Sequence, residues 1–206
     1  MPLTVSESGG SSFQPIEPGV YPAVLYGLID LGTQFNELYN NHQHKVMLIW
    51  EVPSERIEID GEDKPRVISK EYTLSLSEKA HLRNDLMSWR GRDFTPEELF
   101  RFDISTIMGA CCQLNIIHKT SKKTGKDYAM VSSVNPLSRG MQKFEPENET
   151  IYFSFEDGGE IPEGTPDWIK SKIMASQEWN ETGQQNEEWR RQDEPPVNAY
   201  EDDIPF

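Results

Sequence analysis

The stretch SEKAHLRNDLMSWRG (residues 77–91) decides the fold class, because the period of the apolar residues changes there. Leu82, Leu86 and Trp89 recur at i, i+4 and i+7, one stripe of an α-helix, and Gly91 follows as a C-terminal stop. This spacing predicts a helix from about Glu78 to Arg90. On both sides of it the chain reads as strand. Upstream, VYPAVLYGLIDL (20–31) is apolar and β-branched or aromatic, broken by Pro22 and Gly27, which predicts a strand with an edge segment and a bend. GTQFNELYNNHQH (32–44) reads as a polar loop, KVMLIWEV (45–52) as a second strand ended by Pro53, and VISKEYTLSL (67–76) as a third, entered through the Asp60-Gly61 hairpin signal.

Downstream, Thr95, Pro96 and Glu98 combine an N-cap, a proline at the first helical position and a capping box, so PEELF forms a short second helix. GACCQLNIIH (109–118) and YAMVSSV (128–134) are strands four and five, joined by the basic turn KTSKKTGKD (119–127) and closed by Asn135-Pro136. Three strands, a helix and two strands is the element order of an OB-fold, a five-stranded, partly open Greek-key barrel. The expected class is therefore mainly β.

The chain has 206 residues, 20 Lys plus Arg against 35 Asp plus Glu, and a mean hydropathy of −0.67. Up to Lys143 there are 16 basic and 18 acidic residues, a balance of 16 − 18 = −2; beyond it 4 − 17 = −13. Such asymmetry is the pattern of a globular domain with an acidic interaction tail. The expected layout is a flexible lead-in (1–18), the barrel (19–143), a docked extension with a short strand and a helix (144–178), a disordered linker (179–200) and an acidic tip (201–206). No apolar run is long enough to span a bilayer and the first residues lack a signal core, so a cytoplasmic location and no membrane partner are expected. Cys111 and Cys112 are adjacent, which suits neither a disulfide framework nor a metal site, and reduced thiols are expected.

Lys119, Lys122, Lys123 and Lys126 form the strongest local positive potential in the chain, opposed only by Asp127. In an OB-fold this loop and the one between strands one and two flank the face that takes single-stranded nucleic acid, where lysines pair phosphates and aromatic rings stack on bases. Phe35, Tyr39 and Tyr128 lie in or beside these loops; Lys45, Trp50, Arg66, Lys70 and Tyr72 lie on strands two and three, the rest of that face. Solvated hairpin lysines are the plainer alternative for the loop. Both sides of KVMLIWEV read apolar, so alternation leaves Trp50 open as core or stacking platform. Enzyme readings are weaker. The carboxylates of Glu55, Glu58, Asp60, Glu62 and Asp63 share one polar hairpin without the constraint a magnesium ion demands, and His42 and His44 lack two cysteine partners on one face. No catalytic residue, metal or cofactor is expected.

The chain ends in Glu201-Asp202-Asp203-Ile204-Pro205-Phe206. This tip resembles the acidic C-terminal peptide of bacterial single-stranded DNA-binding proteins, whose aspartate-rich run ends in Asp-Asp-Ile-Pro-Phe at the last residue. The resemblance covers the layout and, closely, only the last six residues; the second helix and the extension depart from the bacterial proteins and mark a divergent, phage-type branch, for which a homo-oligomer is left open. It implies a protein that coats and protects single-stranded DNA during replication, recombination or repair. It also implies that Asp202, Asp203, Ile204, Pro205 and Phe206 recruit host replication and repair proteins, the terminal phenylalanine entering an apolar pocket and the aspartates facing a basic rim. An acidic protein-only adaptor or DNA mimic, and a metal-dependent nuclease on an OB-like barrel, are the alternatives.

Overall fold

The computed structural model describes residues 14–37, 39–59, 61–158 and 160–181. Its strands are β1 (Gly19–Asn36), β2 (Asn41–Ile59), β3 (Glu62–Thr73), β4 (Cys111–Thr120), β5 (Asp127–Pro136) and β6 (Ile151–Phe153). The helices are α1 (His81–Arg90), α2 (Pro96–Phe100) and α3 (Asp167–Met174), with a 3-10 turn at Ile104–Ile107. The fold is mainly β: an antiparallel sheet in the order β3-β2-β1-β4-β5, with β6 added parallel to β1. Among the described residues no ladder closes the sheet, but its outer strands β3 and β5 approach each other and α1 packs on both. Among the described residues no helix is long and apolar enough to cross a membrane.

β1 works on both of its edges. Val24 to Asn36 pairs β2, while on the other edge Gly19 to Val24 pairs β4 and Gly27 to Ile29 pairs β6. A register shift at Leu25/Gly27 lets the strand bend, and a Cβ at Gly27 would lie 2.9 Å from that of Ile49, so only glycine lets β1 and β2 approach this closely there.

Two apolar cores follow, one on each face of β1 and β2. On the inner face Leu25, Leu48, Trp50, Tyr72 and Leu114 pack against the α1 stripe Leu82, Leu86 and Trp89. On the outer face Tyr26, Ile29, Met47 and Ile49 pack against Phe153, Ile169 and Ile173 from the extension. Both sides of KVMLIWEV read apolar because both are covered. Glu51 fastens the extension: its fully buried carboxylate accepts the Glu147 N–H at 2.9 and 3.1 Å, the Asn148 N–H at 2.9 Å and Asn148 Nδ2 at 2.8 Å. Charge-assisted bonds of this kind are the strong ones.

Several sequence expectations are corrected. The loop between β1 and β2 is only residues 37–40, since Thr33 to Asn36 pair His44 to Asn41 and are held from the side by the extension, Thr33 by Glu178 and Gln34 by the Lys172 carbonyl. Pro53 does not end β2: a register shift between Val52 and Arg56 takes the proline out of the ladder, and pairing resumes to Ile59. Residues 14–18, expected in the flexible lead-in, pack on the domain: Ile16 is buried in the inner core and its carbonyl meets His118 Nε2 at 2.8 Å, while residues 1–13 lie outside the described residues. α1 starts at His81, after Ala80, which supplies no side-chain cap. The helix expected in the extension is α3, which docks through Ile169 and Ile173, an i/i+4 pair, with Trp168 and Met174 exposed. Trp179 packs on the outer core from the helical turn 177–181, so the linker reading holds at most from residue 182 on, outside the described residues.

Candidate nucleic-acid interface

The β4–β5 hairpin is built to hold its tip open. Lys119 pairs Tyr128 and Thr120 pairs Asp127 across the strands; the Ser121 N–H donates to the Lys126 carbonyl at 2.9 Å, and Gly125, at φ +68°, donates back to the Ser121 carbonyl at 2.8 Å. Glycine fits that left-handed position without strain. The one carboxylate of the loop, Asp127, accepts the Thr120 hydroxyl at 2.7 Å rather than a lysine. Lys119, Lys122, Lys123 and Lys126 are all exposed, and among the described residues none of the four is paired with a carboxylate.

Register places further side chains on the same side of the sheet. Directly opposed residues share a face, so Lys119 and Tyr128 point the same way as Ile117 and Met130, two positions along, while Ile116 and Val131 point into the inner core. Tyr128 is 45% exposed and Ile117 and Met130 are half-buried. Beyond a register shift the outer side continues with Asn115, whose amide donates to Ser132 at 2.9 Å, and with Gln113, which accepts from Ser138 at 2.7 Å. Ile117 and Met130 were missed by the sequence reading. The alternation of QLNIIHK, with Leu114 and Ile116 apolar on one side, carried a signal for Ile117, but the bulge hides which side Met130 takes.

The other candidates divide sharply. Trp50 is fully buried with its ring 6.3 Å from that of Trp89, so it is core and presents no stacking face. Tyr72 is corrected likewise: it is buried, its hydroxyl donates to Asp85 at 2.7 Å, and burial with the neighbouring Asp85 carboxylate pushes its pKa far up. Lys70 is committed to the same Asp85 oxygen at 2.6 Å, and its ammonium lies 5.1 Å from the Tyr72 ring centre. Arg66 donates to the Gln14 carbonyl, tying down the entering chain, and Lys45 donates to the Thr73 hydroxyl at 3.1 Å. Trp50 and Tyr72 are thus buried in the inner core, while Lys45, Arg66 and Lys70 are half-buried and each donates a hydrogen bond within the domain.

Phe35 and Tyr39 are 55% and 68% exposed, Phe35 against the His42 ring at 5.2 Å. They sit at the β1–β2 turn, whereas the basic loop lies beyond the opposite end of β1, where Gly19 pairs Ile116. The structure therefore does not bring the two aromatic-bearing loops together. In the β2–β3 hairpin, Asp63 is bound by Arg56 at 3.0 Å and Glu62 by Lys64 at 2.8 Å, and among the described residues no three His, Cys, Asp or Glu side chains are grouped to hold a metal. Cys112 points into the inner core, where burial raises its thiol pKa, while Cys111 donates to the Phe144 carbonyl at 3.1 Å. The tip residues Asp202 to Phe206 lie outside the described residues. No family model, curated protein or solved structure matches this chain.

Proposed function

We propose that the chain is a non-enzymatic single-stranded DNA-binding protein, an OB-type domain whose C-terminal tip recruits replication or repair proteins. The observation that carries the reading is the β4–β5 hairpin: Lys119 and Tyr128 share a face with Ile117 and Met130, Lys122, Lys123 and Lys126 are exposed in the turn beyond them, and among the described residues none of the four lysines is paired with a carboxylate. Lysines there release condensed counterions on meeting phosphates, and an aromatic ring with apolar neighbours stacks on unpaired bases irrespective of sequence. Because the extension covers the outer face of β1 and β2, the strand's track runs along the outer side of β4 and β5. The strand order, with β3 and β5 approaching at the ends of the path and α1 bridging them, supports an OB-type barrel left partly open. The six-residue tip supports partner recruitment in the cytoplasm, by the resemblance already given.

The test is a fluorescence-anisotropy titration of the full chain with labelled oligo-dT, with and without magnesium. Saturable binding that weakens with salt and leaves the oligonucleotide intact is the expected result. No binding would favour the protein-only adaptor, and magnesium-dependent cleavage would favour the nuclease.

A further inference from the structure

An open cleft of about 1250 Å³ lies between β1 and β2, the turn into α1, the α2 segment and the residues after β6. Its floor reaches the inner core at Leu28, Val46, Leu82 and Leu86, and Leu76, Phe102 and Ile104 form half-buried walls. The rim is apolar as well. Phe100, at 93% exposure, is the most exposed large apolar side chain among the described residues, with Leu99, Leu74 and Tyr152 exposed on the same rim. Single exposed apolar residues are ordinary; several around one concavity mark an interaction surface.

The charge around this concavity is acidic. Asp30, Asp103, Glu156 and Asp157 line it against Arg101 and the titratable His44. Asp103 is held ionised by the Ser105 hydroxyl and N–H, which lower its pKa, and Asp157 faces the Tyr152 hydroxyl. Phosphate is repelled from such a surface, so it is no part of a nucleic-acid track.

We propose that this cleft docks a cationic amphipathic segment of a partner protein, with bulky apolar side chains seated against Phe100 and Leu99 and Lys or Arg facing Asp103, Glu156 and Asp157. Charge complementarity selects this occupant. The chain's own tail carries 17 acidic against 4 basic residues after Lys143, and its tip would bring three more carboxylates to the acidic rim. The basic loop of a second copy, KTSKKTGKDY (119–128), offers charge but only Tyr128 as an apolar anchor. A segment alternating cations with large apolar groups satisfies floor and rim together, an anchored centre with a charged surround. The proposal does not depend on single-stranded DNA binding.

The probe is a random peptide display library selected against the full chain, with two variants as counter-targets: Phe100→Ala, and Glu156→Lys with Asp157→Lys. Both sets of side chains are exposed, and circular dichroism checks that both variants fold. Selected peptides should carry Lys or Arg beside aromatic or leucine side chains, and each variant should weaken them by about tenfold or more. Oligo-dT affinity should stay as in the intact protein for Phe100→Ala, which separates failure here from failure of the DNA-binding reading. Peptides with no cationic bias, or affinities unchanged in both variants, would overturn the proposal. It would equally be overturned if removing residues 201–206 opened the cleft to binding, which identifies the tip as occupant, or if Phe100→Ala abolished self-association in sedimentation, which identifies a second copy.

Discussion

Lys70 with Tyr72 on β3, and Lys119 with Tyr128 on the β4–β5 hairpin, are the same pair of residue types at opposite ends of the strand order of one sheet, with opposite availability. Lys70 and Tyr72 both spend their polar atoms on Asp85 of α1, whereas Lys119 and Tyr128 face outward and, among the described residues, no carboxylate holds Lys119. Residue type alone does not make a nucleic-acid contact. What decides is whether another element supplies a partner, and α1 supplies one to β3 but none to the hairpin tip.

The comparison breaks most visibly at Trp50. Trp50→Ala removes a fully buried indole and should cost about 3–5 kcal/mol of stability, read from chemical denaturation, while the protein that remains folded keeps its affinity for oligo-dT. Trp50→Phe should cost far less, because among the described residues the indole N–H has no hydrogen-bond partner to lose. A stable Trp50→Ala variant with weakened binding would move this residue back to the surface role.

Glu51 sharpens the same point on the opposite face. Glu51→Ala leaves the N–H groups of Glu147 and Asn148 without their carboxylate and should cost about 2–3 kcal/mol, with hydrogen exchange rising first in residues 145–155 as the extension loosens from β2. Uniform exchange across the domain would mean that the extension is not a separately released layer.

Tyr128→Ala should leave the thermal midpoint nearly unchanged and weaken oligo-dT by about 1–3 kcal/mol, the cost of one base stack. Tyr72→Ala should do the reverse, lowering stability through the lost packing of a buried ring and the lost hydroxyl bond to Asp85, with little change in intrinsic binding.

The smallest effect is at His44, whose Nε2 lies 2.7 Å from Asp30 and Nδ1 3.6 Å from Glu178. The bond to Asp30 raises its pKa against the opposing effect of burial, with Glu178 and Glu156 adding to the rise. A raised folded-state value means the contact stabilises fully below the unfolded value, about 6.5, and is lost as pH climbs through the folded one. His44→Gln should therefore lower the thermal midpoint more at about pH 6 than at about pH 8. A deficit independent of pH would assign His44 a packing role only.

Much of the local architecture was legible in the sequence. The α1 stripe and its Gly91 stop, the α2 capping box at Thr95 and Glu98, and the basic turn with Gly125 at its tip are short-range signals that the structure keeps. What escaped depends on contacts far along the chain. Thr33 to Asn36 read as loop because their polar side chains give no alternation, yet Glu178, 145 positions away from Thr33, holds them as strand. Met47 and Ile49 make an apolar face whose cover, Ile169 and Ile173, lies over a hundred residues on, so the side on which Trp50 points was undecidable from β2 alone. The candidate site was half legible for the same reason: the hairpin lysines are recognised without a partner, while the contacts of Lys70, Tyr72 and Arg66 depend on Asp85 and the Gln14 carbonyl, far along the chain.

The most direct test of the β4–β5 hairpin as the binding site is the salt dependence of oligo-dT affinity for the intact chain and for the variant Lys122→Ala, Lys123→Ala, Lys126→Ala. Each phosphate contact contributes about −0.7 to the log-log slope on single strands, so losing three should flatten it by about 2, with stability within about 0.5 kcal/mol of the intact protein. Parallel lines of equal slope would contradict the account and place the single strand elsewhere on the molecule.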